Sequence, residues 1–308
     1  MGLLTIPDSP SSAYISLAFA SITLPIILLF LLFRKPGGQT SKPLPIPPTD
    51  EILLRTGLDL DRSWMFISAE KREFITIRTN SKMTLIQIPA HPTSQWLQNN
   101  TELKKAGIWG EQTDGWEYSA NLTKPISDFL GMDVRLIYKG PTPRVLRGSG
   151  APQRLGRTEA TKFADMMPVL VASMASITEL NQRLVQAGED EIEIERFRPN
   201  IVIRGSVPWN EDGWKALQIG EGEHRLDLDV VCRCLRCQVP NVNPATADKH
   251  PRQPWNQLMK YRRIDPGLKF KPSFGMLCAP KAEGQIEVGM KFQVTAMTNN
   301  HFFVSPMK

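Results

Sequence analysis

Three of the chain's four cysteines fall within six residues, in "VVCRCLRCQVPNVNP" at 230–244. Structural zinc wants about four ligands, usually two closely spaced pairs or a pair plus histidines. Cys234 and Cys237 make one such pair, but Cys278, His224 and His250 stand singly, so zinc would need an unusual ligand set. Four cysteines in 308 residues do not make a disulfide-stapled scaffold, and reduced thiols are expected. Strand geometry suggests a third use, one thiolate presented to something else. Side chains alternate along a strand, so Cys232 and Cys234 point one way and Cys237 the other. Cys237 stands where the strand gives way to "QVPNVNP", with Arg236 beside it, which predicts a lowered thiol pKa. One functional cysteine and two packing ones is the favoured reading; three buried cysteines without chemistry stays open.

The elements that must position this thiol read as mostly β with a few helices, an α+β chain in two units, 51–140 and 150–308. "SWMFIS", "EFITIR" and "MTLIQI" read as three strands of an antiparallel unit, followed by an irregular stretch over 92–130. Val169 to Ala172 reads as a buried strand, with Ser176 capping a helix through Leu184 and Glu179 in the capping-box position. "NIVIRG" and "LDLDVVCRCLRC" are further strands, "EVGMKFQVTAM" is a strand pair or one bent strand, and "PRQPWNQLMKYRR" is a second helix. Between the units, "KGPTPRVLRGSGAPQRLG" is basic and rich in Pro and Gly. An exposed linker is expected there, or a loop that helps bind an anion.

Hydrophobic residues at 41% and charged residues at 22% fit a folded chain and exclude a wholly disordered one. The net charge of +6 suits an anionic ligand or surface. No nucleic-acid motif, Gly-rich phosphate loop or internal repeat is present, so no nucleic-acid partner is expected. After a short tail at 1–12, residues 13–33, "AYISLAFASITLPIILLFLLF", carry no charge. Such a run, at ~20 apolar residues, is long enough for one transmembrane helix. Arg34 and Lys35 follow it, which places the C-terminal side in the cytosol, behind a Pro/Gly-rich tether at 34–50. The sequons at Asn99 and Asn121 give a test, since glycosylation there would put the body in the secretory lumen.

"RFRPNIVIRG", "WNEDGW", "CLRCQVPNVNP", "LMKYRRIDPG" and "KPSFGMLC", in that order, resemble the MOSC domain, and in particular the mitochondrial amidoxime-reducing component family. "GLDLDRSWMFI", "EFITIRTNSKMTLI" and "FADMMPVLVASMASITELNQRL" resemble that family's N-terminal β domain and the start of its MOSC domain. The resemblance implies an N-terminal β domain followed by a MOSC β-barrel, and a molybdenum cofactor held by a pterin dithiolene and one protein thiolate. Cys237 matches the metal-ligating, catalytic cysteine. Arg198, Asn200, Arg236 and Arg78 match cofactor contacts, and guanidinium forks suit a pterin phosphate. It implies reduction of N-hydroxylated substrates such as amidoximes, hydroxylamines and N-oxides. Electrons would come from cytochrome b5 and NADH-cytochrome b5 reductase, with the body on the cytosolic face of the mitochondrial outer membrane or, alternatively, the endoplasmic reticulum. The family's opening strand with its lysine-serine pair has no counterpart here. Its absence supports the alternative of a degenerate MOSC protein, acting as a cofactor- or sulfur-binding module or as a membrane-tethered adaptor.

Overall fold

The computed structural model describes residues 14–17, 50–72, 86–205 and 207–306. Its largest sheet has six strands, in the order Ile201–Ile203, Val169–Ser173, Ser273–Pro280, Leu226–Leu235, Trp214–Ile219, Phe292–Met297. Among the described residues the two end strands do not pair with each other, so the sheet there is a half-barrel where the resemblance implied a closed one. The pairing of Val169–Ser173 with Ile201–Ile203 is parallel, and the helix Met174–Gln186 makes the crossover that a parallel pair needs. The other pairings in this sheet are antiparallel.

Strands Val169–Ser173 and Ser273–Pro280 are buried on both faces because both faces are covered. Val169 and Val171 join Met276 and Cys278 in one cluster with Trp214, Leu217 and Leu228. Leu170 joins Leu277 and Ala279 in another, against Leu146, Met167 and Phe303. Helix Met174–Gln186 turns Ile177, Leu180 and Leu184 onto Phe197, Leu258 and Phe274, the three- and four-residue spacing of an amphipathic helix.

A second sheet orders Trp64–Ser68, Val134–Lys139, Glu111–Tyr118 and Thr101–Ile108. A third joins Gly284–Glu287 to Asp50–Leu54 and Gly57–Leu58, so a late strand closes on an early one. Mostly β with few helices is therefore the observed class.

Several sequence expectations need correction. Tyr14–Leu17 is a strand paired antiparallel with Ile86–Pro89. Its backbone groups face another strand, whereas a membrane helix pairs its own, so a helix over 13–33 does not include them. The rest of 13–33 lies outside the described residues, and among the described residues no helix is long and apolar enough to cross a membrane. "EFITIR" and Arg78 also lie outside them, and of "MTLIQI" the described part is Ile86–Ile88.

Residues 92–130, expected to be irregular, form helix Ser94–Asn100, the hairpin Thr101–Ile108 with Glu111–Tyr118, and helix Ala120–Leu130. Thr93 and Ser119 cap the two helices through their hydroxyls. The cap of Met174–Gln186 is Ser173, whose Oγ accepts from Ala175 N at 3.2 Å, and not Ser176. Ser176 is buried inside the helix, where its Oγ donates to Glu211 Oε1 at 2.6 Å and accepts from Trp209 N at 2.8 Å. The stretch expected as an exposed linker is partly core. Arg144 is buried against Glu111, and Leu146 packs beneath the large sheet.

Candidate functional site

The cysteine strand Leu226–Leu235 begins by sending Leu226, Leu228 and Val230 into the Trp214–Met276 cluster. Its register against Ser273–Pro280 slips between Val230 and Cys232, the mark of a β-bulge. Beyond the slip, Cys232 and Cys234 pack in the opposite cluster with Val231, Leu146, Leu170 and Leu277. The bulge thus re-aims the even-numbered positions from one face of the sheet to the other. The strand ends at Leu235, Arg236 N donates to Pro272 O at 2.8 Å, and Cys237 emerges exposed.

These placements sort the thiols. Burial pushes Cys232 up to about 12, and pushes Cys278 up as well. Burial also raises Cys234, with the charge of Arg236 opposing. Cys237 is the solvent-facing one, and Cys232 and Cys234 share a cluster as alternation predicted. Arg236, placed beside Cys237 by the sequence, is occupied elsewhere. Its Nη1 donates to Cys234 Sγ and its Nη2 to Phe197 O, each at 2.8 Å, while its buried Nε has no hydrogen-bond partner.

Arg198 follows the turn Ile194–Phe197 in the left-handed region, at φ 58°, a conformation that costs a non-glycine residue energy. Burial pushes its guanidinium down to about 10. Arg62 and Arg236 push the same way, and Asp165 and Asp61 oppose them. Arg62, just ahead of strand Trp64–Ser68, is ion-paired with Asp61. Burial pulls its pKa down, but Asp61 and Asp165 outweigh this and raise it. Three guanidiniums therefore share one locality with Asp61, Asp165 and Cys234.

Asn200 sits beside this group in a structural role. Its Oδ1 accepts from Leu170 N at 2.8 Å and its Nδ2 donates to Asp61 Oδ2 at 2.7 Å. It clips the Asp61–Arg62 turn to strand Val169–Ser173. Asp165, exposed, accepts from Trp109 Nε1 at 3.0 Å. The structure thus gathers Arg198, Asn200, Arg236 and Cys237 from the sequence reading and adds Asp61, Arg62, Asp165 and Trp109, which it missed. The string "LDLDRSW" holds no pattern that marks Arg62; only the fold brings it near Arg198.

Chemically, three clustered cations with an orphaned buried N–H fit an anion, and an exposed thiol at their edge fits a soft metal.

Residues 158–293 match the family model of the MOSC domain. The chain is similar to the MOSC domain over that segment. It is 29% identical over 256 residues to mitochondrial amidoxime-reducing component 1 of Mus musculus, covering 77% of this chain and 72% of that protein. It is 28% identical over 262 residues to mitochondrial amidoxime reducing component 2 of Homo sapiens, covering 77% and 73%. Molybdenum cofactor sulfurase of Arabidopsis thaliana is 28% identical over 253 residues, covering 73% of this chain and 30% of the sulfurase. The MOSC segment supplies Asp165, Arg198, Asn200, Arg236 and Cys237. Asp61, Arg62 and Trp109 come from the residues before it.

Proposed function

We propose that this chain holds a molybdenum cofactor and reduces N-hydroxylated compounds, namely amidoximes, hydroxylamines and N-oxides. The observation that carries the reading is the gathering of Arg62, Arg198 and Arg236 beside the Cys234–Cys237 turn. Burial, joined by the repulsion of Arg62 and Arg236, presses Arg198 down, which an anion would offset, and the unpartnered Arg236 Nε lies buried in the same place. The relatives, amidoxime-reducing components and a molybdenum cofactor sulfurase, support the same group.

In this reading Cys237 is the metal-holding residue, and Arg62, Arg198 and Arg236 hold the pterin phosphate. Arg78, from the residues outside the described set, is a further contact. Asn200 acts one step back, by fixing Asp61 and through it Arg62. A bound cofactor would supply the two electrons that cleave the N–O bond, and with two protons the oxygen would leave as water. The sequence carries no Gly-rich dinucleotide loop, so electrons come from a protein donor, cytochrome b5 fed by its NADH-dependent reductase. The mitochondrial relatives support a mitochondrial site of action.

The test is elemental analysis for molybdenum on the full chain, made in a host that synthesises the cofactor, beside Cys237→Ser. Near-stoichiometric metal in the first, metal loss in the second, and benzamidoxime reduction with cytochrome b5 and its reductase support the proposal. A folded chain without molybdenum overturns it and favours a degenerate MOSC module or adaptor.

A further inference from the structure

The chain's positive charge is concentrated close to the exposed thiol. Residues 260–271, "KYRRIDPGLKFK", hold five Lys and Arg against one Asp, while the whole 308-residue chain nets +6. Arg262 and Asp265 spend their charges inside the protein. Arg262 is buried on Asp212 at 2.8 Å, and Asp265 is buried against Arg233 at 3.4 Å. What reaches solvent is therefore cationic. Lys260, Arg263 and Lys269 are exposed and Lys271 is half-buried, and among the described residues no carboxylate forms an ion pair with any of the four.

Strand pairing puts this loop at the edge of the candidate site. Strand Leu226–Leu235 leads out to Cys237, and its last residue faces Ser273, the first of Ser273–Pro280. The exit of one strand and the entry to the other thus share one end of the sheet. Ser273 N donates to Arg262 O at 3.0 Å, which ties Arg263 to that end, and Arg236 N donates to Pro272 O at 2.8 Å. Cys237 and Lys271 flank this second bond. At about 3.8 Å per residue and about 5 Å across the bond, their Cα atoms lie within roughly 13 Å. Leu268 packs against the same cluster as Cys234 and Leu235, whereas Phe270, between Lys269 and Lys271, is 66% exposed. Phe302, also exposed, borders the loop, because Phe303 N donates to Asp265 Oδ1 at 2.9 Å. Phenylalanines left in water among unpaired cations serve no core, and protein interfaces favour aromatic anchors inside a polar rim.

We propose that the loop 263–271 is the docking surface for the electron donor, an acidic haem carrier whose carboxylates meet Arg263, Lys269 and Lys271 around an apolar contact on Phe270. The proposal rests on the N-reductase reading, which needs electrons from another protein. A haem iron passes one electron at a time, so two visits supply the pair that N–O cleavage consumes. Such a donor must reach the thiol edge and leave again. Charge steering and a small interface suit that, under about 1,200 Å² for transient electron-transfer encounters. An anionic membrane also takes cations around a phenylalanine, but lying on this face it would shut the opening at Cys237.

The experiment compares the full chain with the charge-reversed pair Arg263→Glu and Lys269→Glu, both exposed. Lys105→Glu with Lys124→Glu removes the same charge at exposed positions elsewhere. Benzamidoxime reduction is driven in turn by cytochrome b5 with its reductase and by reduced methyl viologen in high salt. The charge-reversed pair raises the KM for cytochrome b5 by ~tenfold at low salt, and the gap narrows as salt screens the contact. Its viologen-driven rate matches wild type, which shows the fold and site intact, and the Lys105/Lys124 pair keeps the wild-type KM. An unchanged KM in the charge-reversed pair, or an equal rise in both pairs, overturns the proposal. So does reduction with viologen but not with cytochrome b5. Loss of binding to phosphatidylserine vesicles with the KM for cytochrome b5 kept assigns the loop to a membrane instead. If wild type reduces benzamidoxime with neither donor, the N-reductase reading fails. The docking surface then stands only if wild type binds cytochrome b5 in low-salt calorimetry and the charge-reversed pair binds it ~tenfold more weakly; equal binding, or none by wild type, overturns it.

Discussion

Arg236 donates from Nη1 to Cys234 Sγ at 2.8 Å, and so anchors one cysteine of the pair while its chain neighbour Cys237 faces solvent. The two thiols therefore have different surroundings, and substitution separates them. Cys237→Ser is expected to lose molybdenum with little change in thermal stability, since its side chain supports no packing. Cys234→Ala leaves the buried guanidinium of Arg236 short of an acceptor, which costs ~1–3 kcal/mol. It is expected to lower the melting temperature while keeping most of the metal. Metal analysis and thermal denaturation of both variants check this. Equal metal loss in the two would mean that Cys234 is itself a ligand.

The arginine cluster makes a prediction that needs no cofactor. Burial and the charges of Arg62 and Arg236 press the Arg198 guanidinium down to about 10, so an anion placed among them stabilises the fold. Sulfate at about ten times its Kd adds ~1.4 kcal/mol to the stability of cofactor-free protein. That is a rise of a few degrees in Tm, on the scale of about 2–4 °C per kcal/mol for a larger domain. Arg198→Met is expected to lose most of the rise. Sodium chloride at matched ionic strength supplies the control, because general screening acts on both proteins alike.

How much of this was readable in the chain follows from where the residues lie. Arg198, Asn200, Arg236 and Cys237 sit on successive segments of one domain, each with a recognisable local string, and the structure brings them together. Arg62 and Trp109 come from distant segments that only the fold delivers. The Thr101–Tyr118 hairpin escaped notice because Lys104, Lys105, Glu111 and Asp114 interrupt any alternation, and Trp109–Gly110 is not a usual turn pair. Its ion pairs, such as Lys104 and Arg72 on Glu117, supply what hydrophobic pattern would otherwise signal. The bulge at Val230–Cys232 left no mark in the sequence either, since apolar residues flank both sides of it. Ser173 and Ser176 are equally plausible caps by composition; burial of Ser176 against Glu211 decided between them.

Acid stability should depend on Glu159. Burial pushes its carboxyl up, but the hydrogen bonds and charges of Arg55 and Arg157 outweigh that and hold it below the usual carboxylate range. A depressed carboxyl contributes stability that is complete above its unfolded value, roughly pH 4.3, and is lost as pH falls through the folded one. Glu159→Gln is therefore expected to be less stable than wild type at pH 7 and to converge on it as the pH drops below 4. Urea denaturation at stepped pH reads the difference. A gap that persists undiminished at pH 3 would assign the loss to packing instead of charge.

Asn200 tests whether a residue matched to a cofactor contact earns its place by binding or by holding the fold. Both ends of its amide are engaged, Oδ1 with Leu170 N and Nδ2 with Asp61 Oδ2. Asn200→Ala strands the Leu170 donor and releases the Asp61–Arg62 turn, at a cost of ~1–3 kcal/mol even without cofactor. Because Asp61 positions Arg62, the same variant should also blunt the sulfate response. Asn200→Asp restores the acceptor but sets a second carboxylate against Asp61. That repulsion raises the folded pKa of the new group above its unfolded value, so its contribution is favourable at low pH and lost as pH rises. Asn200→Asp is thus expected to be weaker than wild type at pH 7 and to regain ground towards pH 4, whereas Asn200→Ala keeps a constant deficit. Matching pH profiles for the two variants would show that the Nδ2–Asp61 bond does not hold the turn, and would return Asn200 to a purely cofactor-facing role.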